Sequence, residues 1–419
     1  MLRSLVEKVT PLLRWMEKYT KTDMLYLAKG GFWLMLGQGI LMASGLILSV
    51  AFANLLPKDV YGTYQFIMSM AAVIAAFTLS GMSTAITRSV AAGSEGALRY
   101  GFRVQLRWSS AMVVAGGVLA VYYLLNGNNT LALSFLIVGA FSPFLTAFGL
   151  TKSYFVGKRL FRESALIGLW RRFIPVFAVL VAILLTDDVV TIVLVYFASN
   201  VLSAGLLYTL VIRRYKLPRN RDRDMLAYSK HLSFLSTFSD IASQADKVLI
   251  FHFLGAAPVA IYALAQLPIA QVRLMFKLLL SLTMPKFVAA KFEDLQRTLP
   301  RKVNIILAAT AVAAGMYALA APYAFMLLFP AYPESVLLSQ VLALSLLTIP
   351  RSMYGQVFSA HQMKRELYVL HISQNVLRLG LLVTLVPLYG LWGAVYALLA
   401  TNLYLIALTH YLFLKARSR

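Results

Sequence analysis

The sequence predicts an all-α integral membrane protein of about twelve transmembrane helices, arranged as two six-helix lobes. Of its 419 residues, 60% are hydrophobic and only 13% are charged, about half the charged share of a soluble domain. Apolar runs of about 20 residues, the length that spans the hydrocarbon as a helix, recur along the whole chain. The first half of the sequence also resembles the second half. Together these observations exclude a soluble globular domain.

The predicted spans follow one another with short connections and leave no large hydrophilic domain. They cover residues 31–54, 62–83, 108–126, 131–150, 166–186, 190–212, 231–254, 260–284, 303–328, 336–360, 367–389 and 390–414. The chain has no cysteine, so it can form no disulfide or thiolate metal site. The histidines are scattered and no nucleotide-binding glycine motif is present, so we expect no metal or nucleotide cofactor.

The basic residues are strongly segregated between the two sides of the membrane. Of the 39 lysines and arginines, 31 fall on one side of the predicted spans, whereas the loops of the other side hold only Lys58. Cytoplasmic loops carry such an excess of positive charge. We therefore expect both termini in the cytoplasm. The net charge of +23 thus reflects membrane orientation, and we expect no nucleic-acid partner.

Residues 1–29 form a basic segment that precedes the first span. Its apolar residues recur at helical spacing, and lysines and arginines occupy the other positions. This pattern predicts an amphipathic helix on the inner leaflet, in contact with membrane lipids. A solvated leader that only fixes the orientation of the chain is the alternative.

An internal repeat relates the two halves of the chain. A shift of 198 residues aligns Tyr64 with Tyr262 and Glu95 with Glu293, together with further apolar positions. Six spans in each half make the repeats parallel, so they are related by a pseudo-two-fold axis along the membrane normal. Substrate sites in such transporters lie at mid-depth between the repeats.

The repeat also predicts the domain boundaries. We expect an N-terminal helix at 1–29, an N-lobe at 30–212, a cytoplasmic linker at 213–227 and a C-lobe at 228–419. The linker contains the basic, proline-containing segment RRYKLPRNRDRDM, which is too polar to insert into the membrane.

Ionisable residues in the seventh span are the strongest functional signal. Asp240 and Lys247 share one helical face, whereas Asp246 points about a third of a turn away. A charge at the centre of a bilayer costs a few kcal/mol unless it has a partner or faces water. Such residues are by default functional, although ion pairs that only hold the lobe together are the alternative.

Two further spans of the C-lobe carry polar rows. Arg273 and Lys277 fall in one sector of the eighth span, and Lys277 could instead reach the lipid head groups. The eleventh span carries a stripe of polar residues at i, i+3, i+4 and i+7, namely His371, Gln374, Asn375 and Arg378. We place Arg171 and Arg172 at the inner end of the fifth span, outside the site.

Three segments resemble a known family. ANLLPKDVYGTYQFIMS (53–69), ASQADKVLIFHFLGAAPVAIYALA (242–265) and PLYGLWGAVYALLATNLY (387–404) are similar to segments of polysaccharide flippases. These belong to the multidrug/oligosaccharidyl-lipid/polysaccharide (MOP) exporter superfamily. The likeness, taken with the length and the twelve spans, extends over the whole chain.

The resemblance implies a pair of six-helix bundles that carries a lipid-linked oligosaccharide to the outer leaflet by alternating access. It implies a bacterial or archaeal cytoplasmic membrane. Basic residues on helices one, two, seven and eight are expected to receive the diphosphate, and here Lys247, Arg273 and Lys277 lie on helices seven and eight. Helix one offers only Gln38, and helix two has Arg88 at its inner end. Arg378 completes the candidate set.

An anionic cargo also suits the charges of the spans. Arginine and lysine make charge-assisted hydrogen bonds with phosphate oxygens. Two negative charges that move outward against an inside-negative potential gain roughly 4–5 kcal/mol per 100 mV. Asp240 and Asp246 are the candidates for coupling to Na⁺ or H⁺. A polysaccharide polymerase at the outer surface is a hypothetical partner.

Two other functions remain open from the sequence. A cation-coupled drug antiporter of the same superfamily would need an acidic, aromatic cleft, whereas the second-lobe helices are net basic. A membrane-embedded glycan enzyme would need acid and base residues on sizeable outer loops, and those loops are short. We therefore expect a transporter and no enzymatic activity.

Overall fold

The computed structural model describes residues 24–218, 223–281 and 284–416, and these residues fold as helices joined by short turns. The side chains of 24–35, 223, 235, 277–281 and 284–286 are outside this description. The N-lobe contains α1 (Met24–Leu55), α2 (Lys58–Ala76), α3 (Met82–Ala91), α4 (Ala97–Trp108), α5 (Ser110–Leu125), α6 (Asn129–Gly149), α7 (Thr151–Gly157), α8 (Phe161–Leu185) and α9 (Val189–Arg214). The C-lobe contains α10 (Arg223–Leu254), α11 (Ala256–Ser281), α12 (Met284–Ala289), α13 (Phe292–Leu328), α14 (Glu334–Leu342), a 3₁₀ helix (Ala343–Thr348), α15 (Ser352–Ala360), α16 (Lys364–Tyr389) and α17 (Leu391–Lys415).

These helices make twelve passes across the long dimension of the molecule, and the predicted fold class is confirmed. Ten stretches of the described residues are long and apolar enough to span a membrane. The other two passes are the second, which α2 and α3 share, and the seventh, which α10 makes. The second pass is interrupted at 77–81, and α10 carries several charged residues. Both of these less apolar passes carry residues of the predicted site, Arg88 on α3 and Asp240, Asp246 and Lys247 on α10.

The structure corrects several predicted boundaries. The predicted span 62–83 is two helices, because the chain leaves helical geometry at 77–81. The ninth helix, predicted at 303–328, begins at Phe292, since its polar first turns also hold a helix outside the apolar run. Most of the predicted 1–29 helix lies outside the described residues. In the predicted linker 213–227, α9 continues to Arg214 and α10 begins at Arg223.

The helices end in two chemically different surfaces. At one end, which we call the acidic end, lie Asp59, Asp187, Asp188 and Glu334 with the single base Lys58. The other end, the basic end, carries the turns rich in lysine and arginine. Across the lobes at the acidic end, Lys58 Nζ lies 2.9 Å from Glu334 Oε1. Asn54 Nδ2 there donates to the Leu328 carbonyl at 2.8 Å.

Asp188 at the acidic end begins α9 as its N-cap. Its carboxylate accepts the backbone N–H of Thr191 at 2.9 Å and of Val190 at 3.3 Å. The Thr191 hydroxyl also donates to it at 2.6 Å. These hydrogen bonds, that of the Thr191 hydroxyl first, hold the pKa of Asp188 below its ordinary value.

Replacing Asp188 by alanine is expected to cost about 0.5–2 kcal/mol at neutral pH, the usual loss for an N-cap. A carboxyl whose pKa is depressed in the folded state stabilises above its unfolded pKa of about 3.9 and loses that effect as pH falls through the folded value. The difference in thermal stability between wild type and Asp188→Ala should therefore shrink below about pH 4. Asp188→Asn keeps an acceptor but no charge. If the stability difference between wild type and Asp188→Asn were the same at pH 3 as at pH 7, the charge of Asp188 would not contribute to stability.

The apolar cores differ between the two ends of the molecule. Towards the acidic end, the N-lobe core around Phe52 and Ile67 continues without a break into Leu264 and Phe325 of the C-lobe. Towards the basic end the lobes have separate cores. One lies around Ile86 and includes Met225 from the start of α10, and the other lies within the C-lobe. The core shared by several helices of both lobes, which we call the seal, therefore lies at the acidic end, whereas at the basic end α10 is the only described C-lobe helix that joins the N-lobe core.

Gly62 allows α2 and the start of α11 to pack closely at the acidic end. A Cβ atom at this position would lie 1.8 Å from the Ala256 carbonyl oxygen, so only glycine lets α2 and the start of α11 approach this closely. One turn deeper, the rings of Phe66 and Phe251 stack at 3.8 Å between centroids and 8° between planes. This aromatic pair closes the seal above the polar residues of α10.

Candidate functional site

The α10 helix lies at the boundary between the lobes, and Lys247 reaches across it. Lys247 Nζ donates to Gln65 Oε1 at 3.1 Å, and Gln65 Nε2 in turn contacts the Tyr61 hydroxyl at 2.9 Å. Both partners belong to α2 and neither is charged. Among the described residues, the only polar partner recorded for the Lys247 ammonium is therefore a neutral amide.

Asp246, the neighbouring residue, points into the C-lobe, as the helical spacing predicts. It is 2% exposed. Its Oδ2 atom accepts from three side chains, Arg378, Tyr262 and Gln266, each at 3.1 Å. Its Oδ1 atom accepts the backbone N–H of Lys247 at 2.9 Å. Arg378 and Asp246 thus form a buried ion pair inside one lobe, and the Arg378 guanidinium already has an anion.

Arg273 lies in the same region without a carboxylate. One of its terminal nitrogens donates to the Ser345 carbonyl at 3.2 Å, and its buried Nε has no partner. It interacts electrostatically with both Tyr262 and Arg378. No ion pair of Arg273 appears among the described residues, so this guanidinium has capacity for an anionic ligand.

The N-lobe contributes two arginines that the sequence analysis placed wrongly. Arg172 is eleven residues from the start of α8 and thirteen from its end, so it lies at mid-depth rather than at the inner end. It interacts electrostatically with the buried phenol of Tyr64, and its Nε is buried without a partner. Arg171 lies beside it, with a terminal nitrogen 3.7 Å from the position of a Cβ atom on Gly149. The described residues give neither arginine an ion pair.

The internal repeat shows what the N-lobe lacks. The 198-residue shift that aligns Tyr64 with Tyr262 places Leu48 at the position of Asp246. Each lobe thus sets an arginine near the equivalent tyrosine, Arg172 in one and Arg378 in the other. Only the C-lobe adds the carboxylate. The N-lobe arginine is therefore left without the internal counter-ion that its counterpart has.

The remaining candidates are spread more widely. Asp240 lies half-buried on α10, and its carboxylate hydrogen-bonds Ser236. Gln38 is half-buried on α1. Arg88 is exposed at the basic end, with its guanidinium 4.8 Å from the centre of the Tyr228 ring. The Lys277 side chain lies outside the described part of α11. The structure therefore brings together Asp246, Lys247, Arg273 and Arg378, and it sets Arg88 apart from them.

The polar stripe of the eleventh span contacts two different environments along α16. Asn375 donates to Ser239 of α10 at 2.9 Å, on the same side as the Arg378 ion pair. His371 and Gln374 face a separate cavity between α15, α16 and α17. The stripe is thus one pattern in the sequence but two environments in the fold.

Comparison with known families decides the relationship. The family model described as "Polysaccharide biosynthesis protein" matches residues 27–284, more than half of the chain. The chain belongs to this family. The matched range covers the N-lobe except the first three residues of α1, together with all of α10 and α11, and so includes Arg172, Asp246, Lys247 and Arg273. The resemblance drawn from the sequence is confirmed.

Solved structures share the fold over almost the entire chain. The lipid II flippase MurJ in an inward closed conformation matches with a TM-score of 0.69 and 13% identity, over 92% of this chain and 87% of that one. A MATE in complex with MaD5 matches with 0.65 and 14%, over 93% and 94%. A MOP superfamily transporter from Pyrococcus furiosus, described as having a binding pocket of reverse polarity, matches with a TM-score of 0.63 and 14% identity, over 94% of this chain and 97% of that one.

These matches establish the architecture of the chain as the two-lobed fold of MOP superfamily transporters. No curated protein sequence matches it significantly. Flippase and MATE structures match at nearly the same identity. The fold therefore agrees with both candidate cargo classes, and the charges of the site must distinguish them.

Proposed function

We propose that this protein flips a polyisoprenyl-diphosphate-linked oligosaccharide from the inner to the outer leaflet of the cytoplasmic membrane. The observation that carries the proposal is the excess of cations at mid-depth. At mid-depth near the boundary between the lobes, the described residues include five basic side chains, Arg171, Arg172, Lys247, Arg273 and Arg378, and two carboxylates, Asp240 and Asp246. Only one recorded ion pair joins the two groups. A diphosphate supplies the missing negative charge.

Three of these cations are the proposed phosphate contacts. Lys247 and Arg273 offer donors from the C-lobe, and Arg172 offers donors from the N-lobe, where the sequence analysis had proposed only Gln38 and Arg88. Arginine binds phosphate through two parallel hydrogen bonds, which suits Arg172 and Arg273. Arg88 at the basic end and Lys277 near it fit a first encounter with the head group. Arg378 is less available, because Asp246 already occupies it.

The lobes must separate for the cargo to pass. In this structure α10 contacts the N-lobe along its length. The contacts run from the Phe66–Phe251 stack to the 2.9 Å hydrogen bond between the Gly81 N–H and the Ser233 hydroxyl. On the other side of the boundary, α1 and α11 approach each other at Gly45 and Gln271. In the proposed cycle, opening at the basic end admits the diphosphate and opening at the acidic end releases it.

Asp240 is the remaining candidate for coupling to Na⁺ or H⁺. Asp246 is enclosed by Arg378, Tyr262, Gln266 and a backbone N–H, so it already has its counter-charge. Within the described part of the chain, the hydrogen bond of the Asp240 carboxylate is to the neutral hydroxyl of Ser236. A cation that enters beside Asp240 would reset the empty protein. This part of the proposal is independent of the cargo.

Purified protein in proteoliposomes tests the cargo class directly. Lys247→Gln, Arg273→Gln and Arg172→Gln should each slow the flipping of a fluorescent polyprenyl-diphosphate oligosaccharide about tenfold to a hundredfold. A hydrogen bond to a charged group contributes about 1.5–3 kcal/mol, and 1.4 kcal/mol is a factor of ten. Arg297→Gln is the matched control, because Arg297 is exposed at the basic end, and it should flip at the wild-type rate.

The rival cargo is an organic cation exported by antiport. For that cargo, Asp240→Asn would abolish transport of a lipophilic dye cation, and the three glutamine variants would leave it intact or improve it. Wild-type flipping of the diphosphate lipid by all three glutamine variants would refute the proposed contacts. Thermal unfolding of each variant identifies any loss that comes from misfolding.

A further inference from the structure

A cavity lies inside the C-lobe, away from the boundary between the lobes. It is lined by the 3₁₀ helix, α15, α16 and α17 and has a volume of about 340 Å³. This is within the usual range of small-molecule sites. It extends from Ser359 and Leu367, next to the basic end, inwards to Thr348 and Gln374. The seven-residue step from Leu367 to Gln374 corresponds to a depth of about 10 Å along α16.

The walls of the cavity are basic and rich in hydrogen-bond donors. Arg351, His371, Gln374 and Gln356 line it with several hydroxyl groups, and no carboxylate is among its lining residues. Arg351 has one long hydrogen bond, from Nη1 to the Ile406 carbonyl at 3.4 Å, and its buried Nε has no partner. An arginine in a protein stays protonated. The cavity therefore contains a permanent positive charge with unused donors.

The cavity also has an apolar lining. Leu367 and Leu370 of α16 and Leu405 and Ile406 of α17 line it beside the polar groups. A guanidinium with free donors fits the tetrahedral oxygens of a phosphate, and the apolar lining fits the carbon skeleton to which the phosphate is esterified. The net positive lining argues against a metal cation. The described residues also hold no cluster of acidic and histidine side chains that could bind one.

We propose that this cavity binds a phosphate-bearing head group, with Arg351 as the anion-binding residue. The site is separate from the proposed transport contacts, because Asn375 and Arg378 of α16 are outside its lining and bond instead to α10. Its position beside the basic end makes it accessible from that leaflet. Two sources share this chemistry, an anionic phospholipid of the leaflet and a soluble phosphate ester.

Native mass spectrometry of the detergent-purified chain tests the site. The probes are dioctanoyl phosphatidylglycerol, dioctanoylglycerol, which lacks the phosphate, and inorganic pyrophosphate. Wild type is expected to retain the phospholipid at concentrations at which the phosphate-free lipid leaves no adduct. Arg351→Gln should lose most of this difference. Arg351→Lys keeps the charge but not the fork of donors, so it should retain part of it.

Arg297→Gln, which removes an exposed arginine of the same end, is the control and should bind like wild type. Pyrophosphate binding that depends on Arg351 would identify a soluble ligand, and binding of the phospholipid alone would identify a lipid head group. Equal retention by wild type and Arg351→Gln, or retention of no probe, would overturn the proposal. Thermal unfolding of the Arg351 variants shows that they are folded. Because the assay reads binding alone, its failure leaves the transport proposal intact.

Discussion

Replacing Asp246 by alanine is expected to destabilise the protein by about 3–5 kcal/mol, the usual loss when one partner of a buried ion pair is removed. The change leaves the Arg378 guanidinium, which is 17% exposed, without its counter-ion. It also removes the acceptor of the Tyr262 hydroxyl and the Gln266 amide. Changing Arg378 to methionine at the same time should restore much of the stability, because the uncompensated charge then disappears. Thermal and denaturant unfolding in a defined detergent measure both effects.

The exposed pair at the acidic end is the matched control for this double-mutant cycle. Lys58 and Glu334 are 32% and 51% exposed, so their coupling should not exceed about 1 kcal/mol. If the Asp246→Ala and Arg378→Met losses simply added, Asp246 and Arg378 would not be coupled. The double variant also tests Arg378 as a cargo contact. Transport by a folded Asp246→Ala/Arg378→Met protein would remove Arg378 from that role.

Gly62→Ala is expected to force the acidic end of the lobes apart. The new methyl group would lie 1.8 Å from the Ala256 carbonyl oxygen and 2.5 Å from its carbon. Because both obstacles are backbone atoms, no side chain can turn away, and α11 must move. The chain has no cysteine, so Lys58→Cys with Glu334→Cys places a single reporter pair across the seal. Cross-linking with a short bifunctional reagent should fall several-fold when Gly62→Ala is added.

Gly117→Ala is the control for this experiment, because no atom lies within 4 Å of a Cβ at that position. It should leave the cross-linking yield unchanged. A Gly62→Ala protein that cross-links like wild type would show that the two helices tolerate the methyl group by a small adjustment. The proposed transport rate should also fall in Gly62→Ala, since a protein that cannot close the acidic end cannot complete the cycle.

The fold was largely predictable because a membrane imposes simple rules. Helix length, hydropathy and the asymmetry of basic residues determine where spans begin and how many there are. The predicted boundaries were wrong where the hydropathy of the sequence and the helical geometry of the backbone do not coincide. The break at 77–81 contains Thr78, Ser80 and Gly81 but lies inside a mostly apolar run that was predicted as one span, and the first turns of α13 are helical although they are polar. Hydropathy reports burial in lipid and carries little information on backbone geometry.

The site was predictable only in part, because the direction in which a side chain points from its helix does not identify the residue that it contacts. Helical spacing correctly separated Asp246 from Lys247, but it could not show that Arg378 would neutralise Asp246. It also gave no hint of Gln65, which touches Lys247 from a distant part of the sequence. Arg172 was discarded on an assumed helix boundary. A comparison of the repeats could not have recovered it, because the shift that aligns Tyr64 with Tyr262 places Arg172 opposite Leu370.

The one-sided fusion of the apolar cores has a consequence for the energy landscape of the cycle. Exposing the shared surface around Phe52, Ile67 and Leu264 to water carries a hydrophobic penalty, whereas at the opposite end α10 is the only described C-lobe helix that joins the N-lobe core. The unloaded molecule should then favour states that open at the basic end. Occupancy by cargo must shift that population, and every 1.4 kcal/mol of preference for the alternative state shifts it about tenfold. Directionality would thus be encoded in the resting equilibrium before any ion gradient contributes.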